Sequence, residues 1–382
     1  MKKKRLIIVL GILGGLLVAG GVWWLRVNDG ELLNPLGLAN WREKEEDKLE
    51  VMGFLPTWMI GKTLVYGEEI DRLVFLGIEV SEDGGLVWEL QSNKVNSENY
   101  MVIFEEIKRR GNKNILGIKQ FDDNKLNVLL ADDEARKRAV KEIKDLVEEK
   151  GFDGVNVDFE FQGDPLAVLG EEFGLFLDEL REAGVGEISV DVFANTVIKG
   201  GEENLIKLMG RLDHLVVMAY DFHRPGVDFV GPVAPIGSPP GKRNIVEVVE
   251  KMVSAGLDKE KMILAYPLYG YEWKTETSEF GAKVIRGWYQ MASWNRVNNL
   301  IETADASALV VKWDEESMSP WLSFVEDGEI RQIYYEDYES LKIKLDLAKQ
   351  YGVNGVGFWA LGYEGKEPVF WKNLDQFLVK SE

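Results

Sequence analysis

Two carboxylates near the middle of the chain have the spacing of a possible acid–base pair. Asp158 and Glu160 lie in the segment Gly151–Phe161 (GFDGVNVDFEF), where polar and apolar residues alternate. Successive side chains of a strand point to opposite faces, so Asn156, Asp158 and Glu160 share one face and the Val and Phe residues between them share the other. Carboxylates held this close repel each other, and one of them keeps its proton to higher pH. Since a general acid must be protonated near neutral pH, this strand end is predicted to carry acid–base chemistry.

An acidic strand end in solvent and a calcium-binding loop are two alternative interpretations of the segment. The first does not account for three successive polar residues on one face with apolar residues between them. The second finds Asn156, Asp158 and Glu160 at the spacing of calcium ligands, but Phe161 stands where such a loop has glycine. We therefore interpret the three polar residues as the lining of a cleft.

The elements that would position these carboxylates are predicted from the rest of the chain. From Leu49 onward, short apolar runs alternate with charged segments of helical period, which is the pattern of βα units. The clearest helix is Asp133–Lys150, whose apolar residues share one face. Eight strands, each followed by a helical segment, predict an α/β protein with a closed (β/α)8 TIM barrel, in which active sites lie at the carboxyl ends of the strands. The predicted strands are Glu50–Leu55, Arg72–Val80, Asn114–Lys119, Gly154–Phe161, Glu187–Phe193, His214–Tyr220, Met262–Tyr266 and Gly355–Ala360.

The alternation of strands and helices is interrupted once, because the stretch between Tyr266 and Gly355 is too long for one βα unit. We predict a small α+β insertion at about residues 272–335, between strands seven and eight, with a helix at Ser293–Glu302. Insertions of this kind extend from the carboxyl-terminal face of the barrel, so this one would form a wall of the cleft. Its predicted strands are Ala308–Trp313, Trp321–Val325 and Ile330–Tyr335.

The amino terminus has the pattern of a membrane anchor. Lys2–Arg5 are basic, and the uncharged segment Leu6–Leu25 has the length of one transmembrane helix. Basic residues stay on the cytoplasmic side, which places the rest of the chain outside the cell membrane. A signal peptide that is cleaved, leaving a secreted protein, is the alternative. The predicted organisation is an anchor at residues 1–26, a polar linker at 27–48 and the barrel domain at 49–382.

The composition excludes several classes of function. The formal net charge of −20, with no basic stripe after residue 30, argues against nucleic acid as a partner. The chain has no Cys, which excludes disulfides, Cys-ligated zinc and Cys nucleophiles. An apolar fraction of 46%, with 12 Trp, is sufficient for a large core and for aromatic surfaces on which sugar rings stack.

Four segments of the sequence resemble motifs of glycoside hydrolase family 18, the chitinase-like family. Asp153–Glu160 (DGVNVDFE) is similar to the family's DxxDxDxE signature. Met218–Asp221 (MAYD) resembles its MxYD motif on the sixth strand, while Tyr266–Tyr271 (YPLYGY) and Gly355–Ala360 (GVGFWA) resemble its seventh- and eighth-strand segments. The four motifs follow each other in the family's order, over most of the chain after residue 49.

Two departures from the chitinase pattern resemble one branch of the family. Asn156 stands where the signature has its second acidic residue, and Gly117–Phe121 (GIKQF) replaces the SxGG of the third strand. These departures, with YDFH at 220–223 and GPVAP at 231–235, are similar to the branch that contains bacterial spore-cortex lytic N-acetylglucosaminidases.

The resemblance implies a retaining, substrate-assisted hydrolysis of β-1,4 bonds that follow N-acetylglucosamine, without a metal or organic cofactor. Glu160 would protonate the leaving oxygen, Asp158 would orient the substrate's acetamide, and Tyr220 would hydrogen-bond the acetamide oxygen. The predicted substrate-binding residues are Asn156, Asp221, Met218, Trp359, Trp58, Tyr266, Tyr269 and Trp273, and core packing is the alternative for the aromatic ones.

A polysaccharide that contains N-acetylglucosamine is the implied partner. A domain held outside a membrane by residues 6–25 would meet peptidoglycan first, so cell-wall glycan is the first substrate hypothesis and chitin-type oligosaccharide the second. A catalytically silent, lectin-like carbohydrate-binding protein of the same family is the alternative function.

Overall fold

The computed structural model describes residues 25–27, 31–33, 48–63, 69–88, 92–239, 242–304, 308–365 and 369–379. Lys48–Glu382 form one unit, to which every element named below belongs except a short antiparallel pair, Leu25–Val27 with Glu31–Leu33. The predicted transmembrane segment, Leu6–Leu25, lies outside the described residues except for its last residue. Leu25 begins the first of these two strands. None of the helices in the described part of the chain combines the length and the apolar character that a bilayer span requires.

Eight parallel strands close into a barrel, as the sequence predicts. Each strand pairs with the next one along the chain, and the last pairs with the first. A short strand, Leu86–Val87, adds antiparallel to the second barrel strand. The barrel strands are β1 (Glu50–Pro56), β2 (Arg72–Val80), β3 (Lys113–Gln120), β4 (Gly154–Phe159), β5 (Glu187–Phe193), β6 (His214–Met218), β7 (Met262–Pro267) and β8 (Gly355–Trp359).

Amphipathic helices accompany the strands, and the two helices predicted at Asp133–Lys150 and Ser293–Glu302 are present, the second displaced by one residue. Asp123–Ala131, Ala194–Lys199 and Val369–Leu378 were not predicted. The helices are α1 (Glu98–Arg109), α2 (Asp123–Ala131), α3 (Asp133–Lys150), α4 (Glu171–Ala183), α5 (Ala194–Lys199), α6 (Glu202–Gly210), α7 (Ile245–Ser254), α8 (Trp294–Thr303), α9 (Tyr338–Tyr351) and α10 (Val369–Leu378).

The alternation along β4 divides its side chains between two layers. Val155, Val157 and Phe159 belong to the large apolar core between the strands and the helices, where Phe159 stacks on Phe176 of α4 at 5.5 Å between ring centroids. Burying one such side chain contributes roughly 1.5–3 kcal/mol to folding. The opposite face of β4 points into the barrel, whose interior holds a separate apolar cluster of Met52, Phe54, Val74, Leu76, Ile115, Val216, Ile263 and Ala265.

Charged side chains close the amino-terminal end of the barrel interior. Arg72 on β2 donates to Glu50 on β1 at 2.8 Å and to Glu187 on β5 at 3.0 Å. Lys113, the first residue of β3, also pairs with Glu187. Because these residues begin their strands, the ion pairs fill the bottom of the barrel and leave its carboxyl-terminal end for a cleft.

The described residues between β7 and β8 form an antiparallel five-stranded sheet and the helices α8 and α9. Its two strands nearest β7 were not predicted; the edge strand is exposed along most of its length, so it lacks a buried apolar face that would reveal it. Glu272 is fully buried in this sheet and accepts hydrogen bonds from Arg296 at 2.6 Å and Arg331 at 2.9 Å. The strand order is Val284–Ser293, Tyr269–Thr275, Glu329–Tyr334, Ser319–Glu326 and Leu309–Asp314.

Candidate active site

Three carboxyl groups, those of Asp158, Glu160 and Asp191, meet at the carboxyl end of the barrel. Asn156 of β4 pairs in register with Ser189 of β5, so the inward residues that follow two positions later, Asp158 and Asp191, lie at the same level. Asp158 is 4% exposed and Asp191 is 5% exposed. The Asn156 amide donates to Asp191 Oδ1 at 2.8 Å and to Ser189 Oγ at 3.1 Å. The neutral amide therefore favours the ionised form of Asp191.

Burial and the charges of neighbouring carboxylates raise the pKa of all three carboxyls. Burial raises the pKa of Asp158 well above its ordinary value, and the charges of Asp191 and Glu160 raise it further. Burial raises the pKa of Asp191 to about 8, against the hydrogen bond from Asn156. Burial, followed by the charge of Asp221, raises the pKa of Glu160 to about 7. The cluster therefore retains protons at neutral pH, and they are shared among coupled groups.

Glu160 follows β4 directly, and its carboxyl stands where two cavities meet. The smaller cavity, about 280 Å³, lies in the barrel mouth, and the larger one, about 750 Å³, extends from it. Gln162 Nε2 donates to Glu160 Oε2 at 2.6 Å and orients the carboxyl. The residues common to both cavities are Glu160, Met218, Tyr220 and Asp221.

Tyr220 and Asp221 follow β6 and bring two further polar groups to the cavities. Asp221 has φ of 60°, a conformation that residues other than glycine rarely adopt and that concentrates at functional sites. Its Oδ1 accepts hydrogen bonds from the hydroxyls of Tyr269 at 2.5 Å and Tyr271 at 3.2 Å. Burial raises the pKa of Tyr220 well above its ordinary value, so its hydroxyl remains a donor.

An aromatic wall borders the smaller cavity beside the carboxyls. Trp359, the last residue of β8, meets Phe54 edge to face at 6.3 Å and Trp58 at 6.1 Å between ring centroids. All three residues line the cavity. Such faces pack against the apolar side of a sugar ring.

Three of the predicted substrate-binding residues do not line the two cavities. Tyr266 is fully buried and donates to the Lys344 carbonyl of α9 at 3.0 Å, because Ile263 and Ala265 occupy the inward face of β7. Trp273 is 1% exposed and packs within the inserted sheet. Asn156 is fully buried and donates its amide hydrogen bond to Asp191. The other predicted positions, Trp58, Asp158, Glu160, Met218, Tyr220, Asp221, Tyr269 and Trp359, line the smaller cavity, and their roles remain predictions.

Sequence reasoning missed Asp191 and Lys119, which also line the smaller cavity. Both were detectable from alternation, because Asp191 shares a strand face with Ser189 and Lys119 shares one with Ile115. The positive charge of Lys119 opposes the rise in the pKa of Asp158 and of Glu160. A search of each predicted strand for inward polar residues would have found them.

Comparison with known sequences extends over most of the barrel domain. Residues 51–364 match the family described as Glycosyl hydrolases family 18. The sporulation-specific glycosylase YdhD of Bacillus subtilis (strain 168) is 29% identical over 242 residues, which are 59% of this chain and 51% of that protein. The cortical fragment-lytic enzyme of the same organism is 26% identical over 68% of this chain and 58% of that enzyme. The chain thus spans little more than half the length of these relatives.

Solved structures share the fold at lower identity. The spore cortex-lytic enzyme SleL of Bacillus megaterium QM B1551 has a TM-score of 0.67 at 20% identity, covering 91% of this chain and 76% of that one. A Cycas revoluta chitinase solved with (GlcNAc)3 has a TM-score of 0.73 at 20% identity, covering 86% of this chain and 99% of that one. The family match confirms the predicted family, and the sporulation and cortical fragment-lytic relatives are consistent with the predicted branch. The chain belongs to glycosyl hydrolases family 18.

Proposed function

We propose that the barrel domain is a retaining glycosidase that cleaves β-1,4 bonds following N-acetylglucosamine. The observation that carries the proposal is the Glu160 carboxyl at the junction of two cavities, with a pKa raised to about 7. A sugar in the smaller cavity and its neighbour in the larger one would place the glycosidic oxygen at this carboxyl. A large fraction of Glu160 is protonated at neutral pH, so it can donate a proton to the leaving oxygen.

The acetamide of the substrate supplies the nucleophile in this proposal. Asp158 is an unsuitable nucleophile, because it is buried and its pKa is raised well above the ordinary value. Its Oδ1 has no hydrogen-bond partner among the described residues, so it can accept the acetamide N–H. Tyr220 lines the same cavity and can donate to the acetamide oxygen. Held this way, that oxygen attacks the anomeric carbon as the Glu160 proton passes to the leaving sugar, and an oxazolinium ion forms.

Water completes the reaction on the side that the leaving sugar has vacated. Glu160, now a carboxylate, takes a proton from a water molecule whose oxygen bonds to the anomeric carbon. The bond between that carbon and the acetamide oxygen breaks, and the acetamide re-forms. Two displacements at one carbon retain its configuration.

Cell-wall glycan is the first substrate hypothesis within this proposal, and chitin-type oligosaccharide is the second. The names of the fragment-lytic and cortex-lytic relatives support the first, while the chitinase solved with an N-acetylglucosamine trimer supports the second. Digests of purified peptidoglycan, chitin oligomers and N-glycans, scored by the identity of the new reducing sugar, compare them. N-acetylmuramic acid at the new reducing ends would contradict the proposed cleavage specificity.

Glu160→Gln is the decisive variant for hydrolysis. It is nearly isosteric but carries no transferable proton, so we expect kcat to fall roughly 10²- to 10⁴-fold with an unchanged circular dichroism spectrum. Glu134→Gln, an identical change at an exposed position of α3, is the matched control and should retain full activity. If wild type and Glu160→Gln are equally inert and both bind the oligomers, the enzymatic proposal is wrong and the lectin-like alternative stands.

We also propose, on the sequence pattern alone, that residues 6–25 hold the domain on the outer face of a cell membrane. The full chain should remain in the membrane fraction after a high-salt wash and be released by detergent, whereas a version beginning at residue 27 should not. A mature amino terminus between about residues 20 and 26 in the medium would instead establish signal cleavage and contradict the anchor.

A further inference from the structure

The larger cavity is rich in cationic side chains, although the whole chain carries a formal net charge of −20. Arg224 follows β6, while Lys242 and Arg243 precede α7, and all three line this cavity. Folding therefore brings cations from two loops to one side of Glu160.

These cations are available to a ligand. Within the described part of the chain, neither the Arg224 side chain nor the Lys242 side chain forms a hydrogen bond or ion pair, and both residues are exposed. Arg243 donates to the neutral side-chain oxygen of Asn195, which leaves its charge uncompensated. The charge of Arg224 reaches the catalytic region, where it opposes the rise in the pKa of Glu160.

The acidic groups of the same cavity are already engaged. Asp228 pairs with Arg286, and the Asp221 carboxylate accepts hydrogen bonds from Tyr269 and Tyr271. Glu160 is protonated in the form that acts as the acid. The hydrogen bonds leave the charge of Asp221 in place, but three cations stand against this one carboxylate, so the charge that remains for a ligand in this cavity is positive.

The direction of proton transfer indicates which sugar occupies each of the two cavities. Asp158, Tyr220 and Trp359 line the smaller cavity, which holds the sugar whose acetamide reacts under the proposed function. Glu160 protonates the oxygen on the far side of that sugar, so the leaving sugar occupies the larger cavity. Resting on the proposed function, we propose that the larger cavity binds a leaving sugar that carries a carboxylate, held by Arg224, Lys242 and Arg243.

An acid and its ester test this assignment directly. The substrates are the disaccharide of N-acetylglucosamine and N-acetylmuramic acid with a free lactyl carboxylate, and the same disaccharide as its methyl ester. We expect wild type to cleave the acid with a kcat/KM roughly ten-fold above that of the ester, with a preference that declines as salt rises. In the triple variant Arg224→Gln, Lys242→Gln, Arg243→Gln, the ratio of acid to ester should fall to about one.

A charge-matched control separates local recognition from net charge. Arg109, Lys137 and Lys141 are exposed on α1 and α3, with 70%, 59% and 75% of their side-chain surfaces accessible, and none lines the cavity. Their triple change to Gln alters the net charge equally and should leave the ratio of acid to ester at the wild-type value. Two results would overturn the assignment and leave the proposed hydrolysis intact. One is equal cleavage of acid and ester by wild type, and the other is a triple variant of Arg224, Lys242 and Arg243 that still prefers the acid.

Binding measurements keep the assignment testable if turnover fails. Calorimetry with Glu160→Gln, with and without the substitutions of Arg224, Lys242 and Arg243, gives the affinities for acid and ester directly. If Glu160→Gln binds the acid more tightly than the ester, and the three cavity substitutions abolish this difference, the result supports the assignment even in an inactive protein. Equal affinities for the two compounds reject it.

Discussion

Tyr269, on the inserted sheet, donates a hydrogen bond of 2.5 Å to Asp221, the residue after Tyr220 at the barrel mouth. The bond lowers the pKa of Asp221 against the effect of burial and so favours its charged form. The charge of Asp221 is, after burial, the largest influence that raises the pKa of Glu160. The insertion thus helps to keep the proposed acid protonated, although its own sheet holds no catalytic carboxylate in our assignment.

The rate should depend on the protonation of Glu160. Because an acid that has lost its proton cannot protonate the leaving oxygen, kcat/KM should decline as pH rises through about 7, the pKa of Glu160. Initial rates on an N-acetylglucosamine oligomer between pH 4 and 10 measure this limb. A kcat/KM that is constant from pH 6 to pH 9 would contradict the assignment of Glu160 as the general acid.

Tyr269→Phe should shift the decline of kcat/KM to lower pH. Loss of the hydroxyl raises the pKa of Asp221, a larger share of Asp221 becomes neutral, and the pKa of Glu160 falls. Tyr266→Phe is the matched control, because Tyr266 is also buried but bonds to the Lys344 carbonyl away from the cavities. We expect its pH–rate profile to coincide with that of wild type. If kcat/KM of Tyr269→Phe declines at the same pH as wild type or at a higher pH, Tyr269 does not influence the pKa of Glu160 through Asp221.

Asp191 should make the fold less stable as pH rises. Its pKa is about 8 in the folded state, against about 3.9 when unfolded, so the folded protein binds the extra proton between these values. The stabilising contribution is complete below the unfolded pKa and is lost as pH rises through about 8. Asp191→Asn keeps an acceptor for Asn156 but cannot ionise.

Thermal unfolding at pH 5 and pH 9 measures this difference. The melting temperature of Asp191→Asn relative to wild type should be higher at pH 9 than at pH 5, by at least about 2 °C. Ser189→Ala, which removes another partner of Asn156 without removing a carboxyl, is the comparison and should show no such increase. Parallel pH dependence of Asp191→Asn and wild type would show that Asp191 does not hold the proton.

Trp359 and Trp273 should separate sugar binding from packing. Trp359→Ala removes a ring that lines the smaller cavity, so KM for an N-acetylglucosamine oligomer should rise about ten-fold or more. Trp273→Phe changes a ring buried in the inserted sheet, so it should lower the melting temperature with little change in KM. A larger KM effect from Trp273 than from Trp359 would reverse the two assignments.

Local periodicity was sufficient to predict which residues of β4 share a face. Asn156, Asp158 and Glu160 alternate with apolar residues, and this spacing groups the polar side chains on one face of the strand without information from other strands. The same periodicity predicted the eight barrel strands, because each is bounded by polar or helical segments. It was insufficient for the edge strand Val284–Ser293, which lacks a buried apolar face.

Tertiary structure decided which groups meet across strands. The register of β4 with β5 puts Asp191 beside Asp158, and that of β3 with β4 adds Lys119, although these residues are distant in sequence. Tyr266 and Trp359 both lie near strand ends, yet only Trp359 lines the cavity, since the face that each strand turns inward depends on its neighbours. Alternation along one strand is a property of the covalent chain, whereas distances between strands, and the pKa shifts that follow from them, exist only after the barrel has closed.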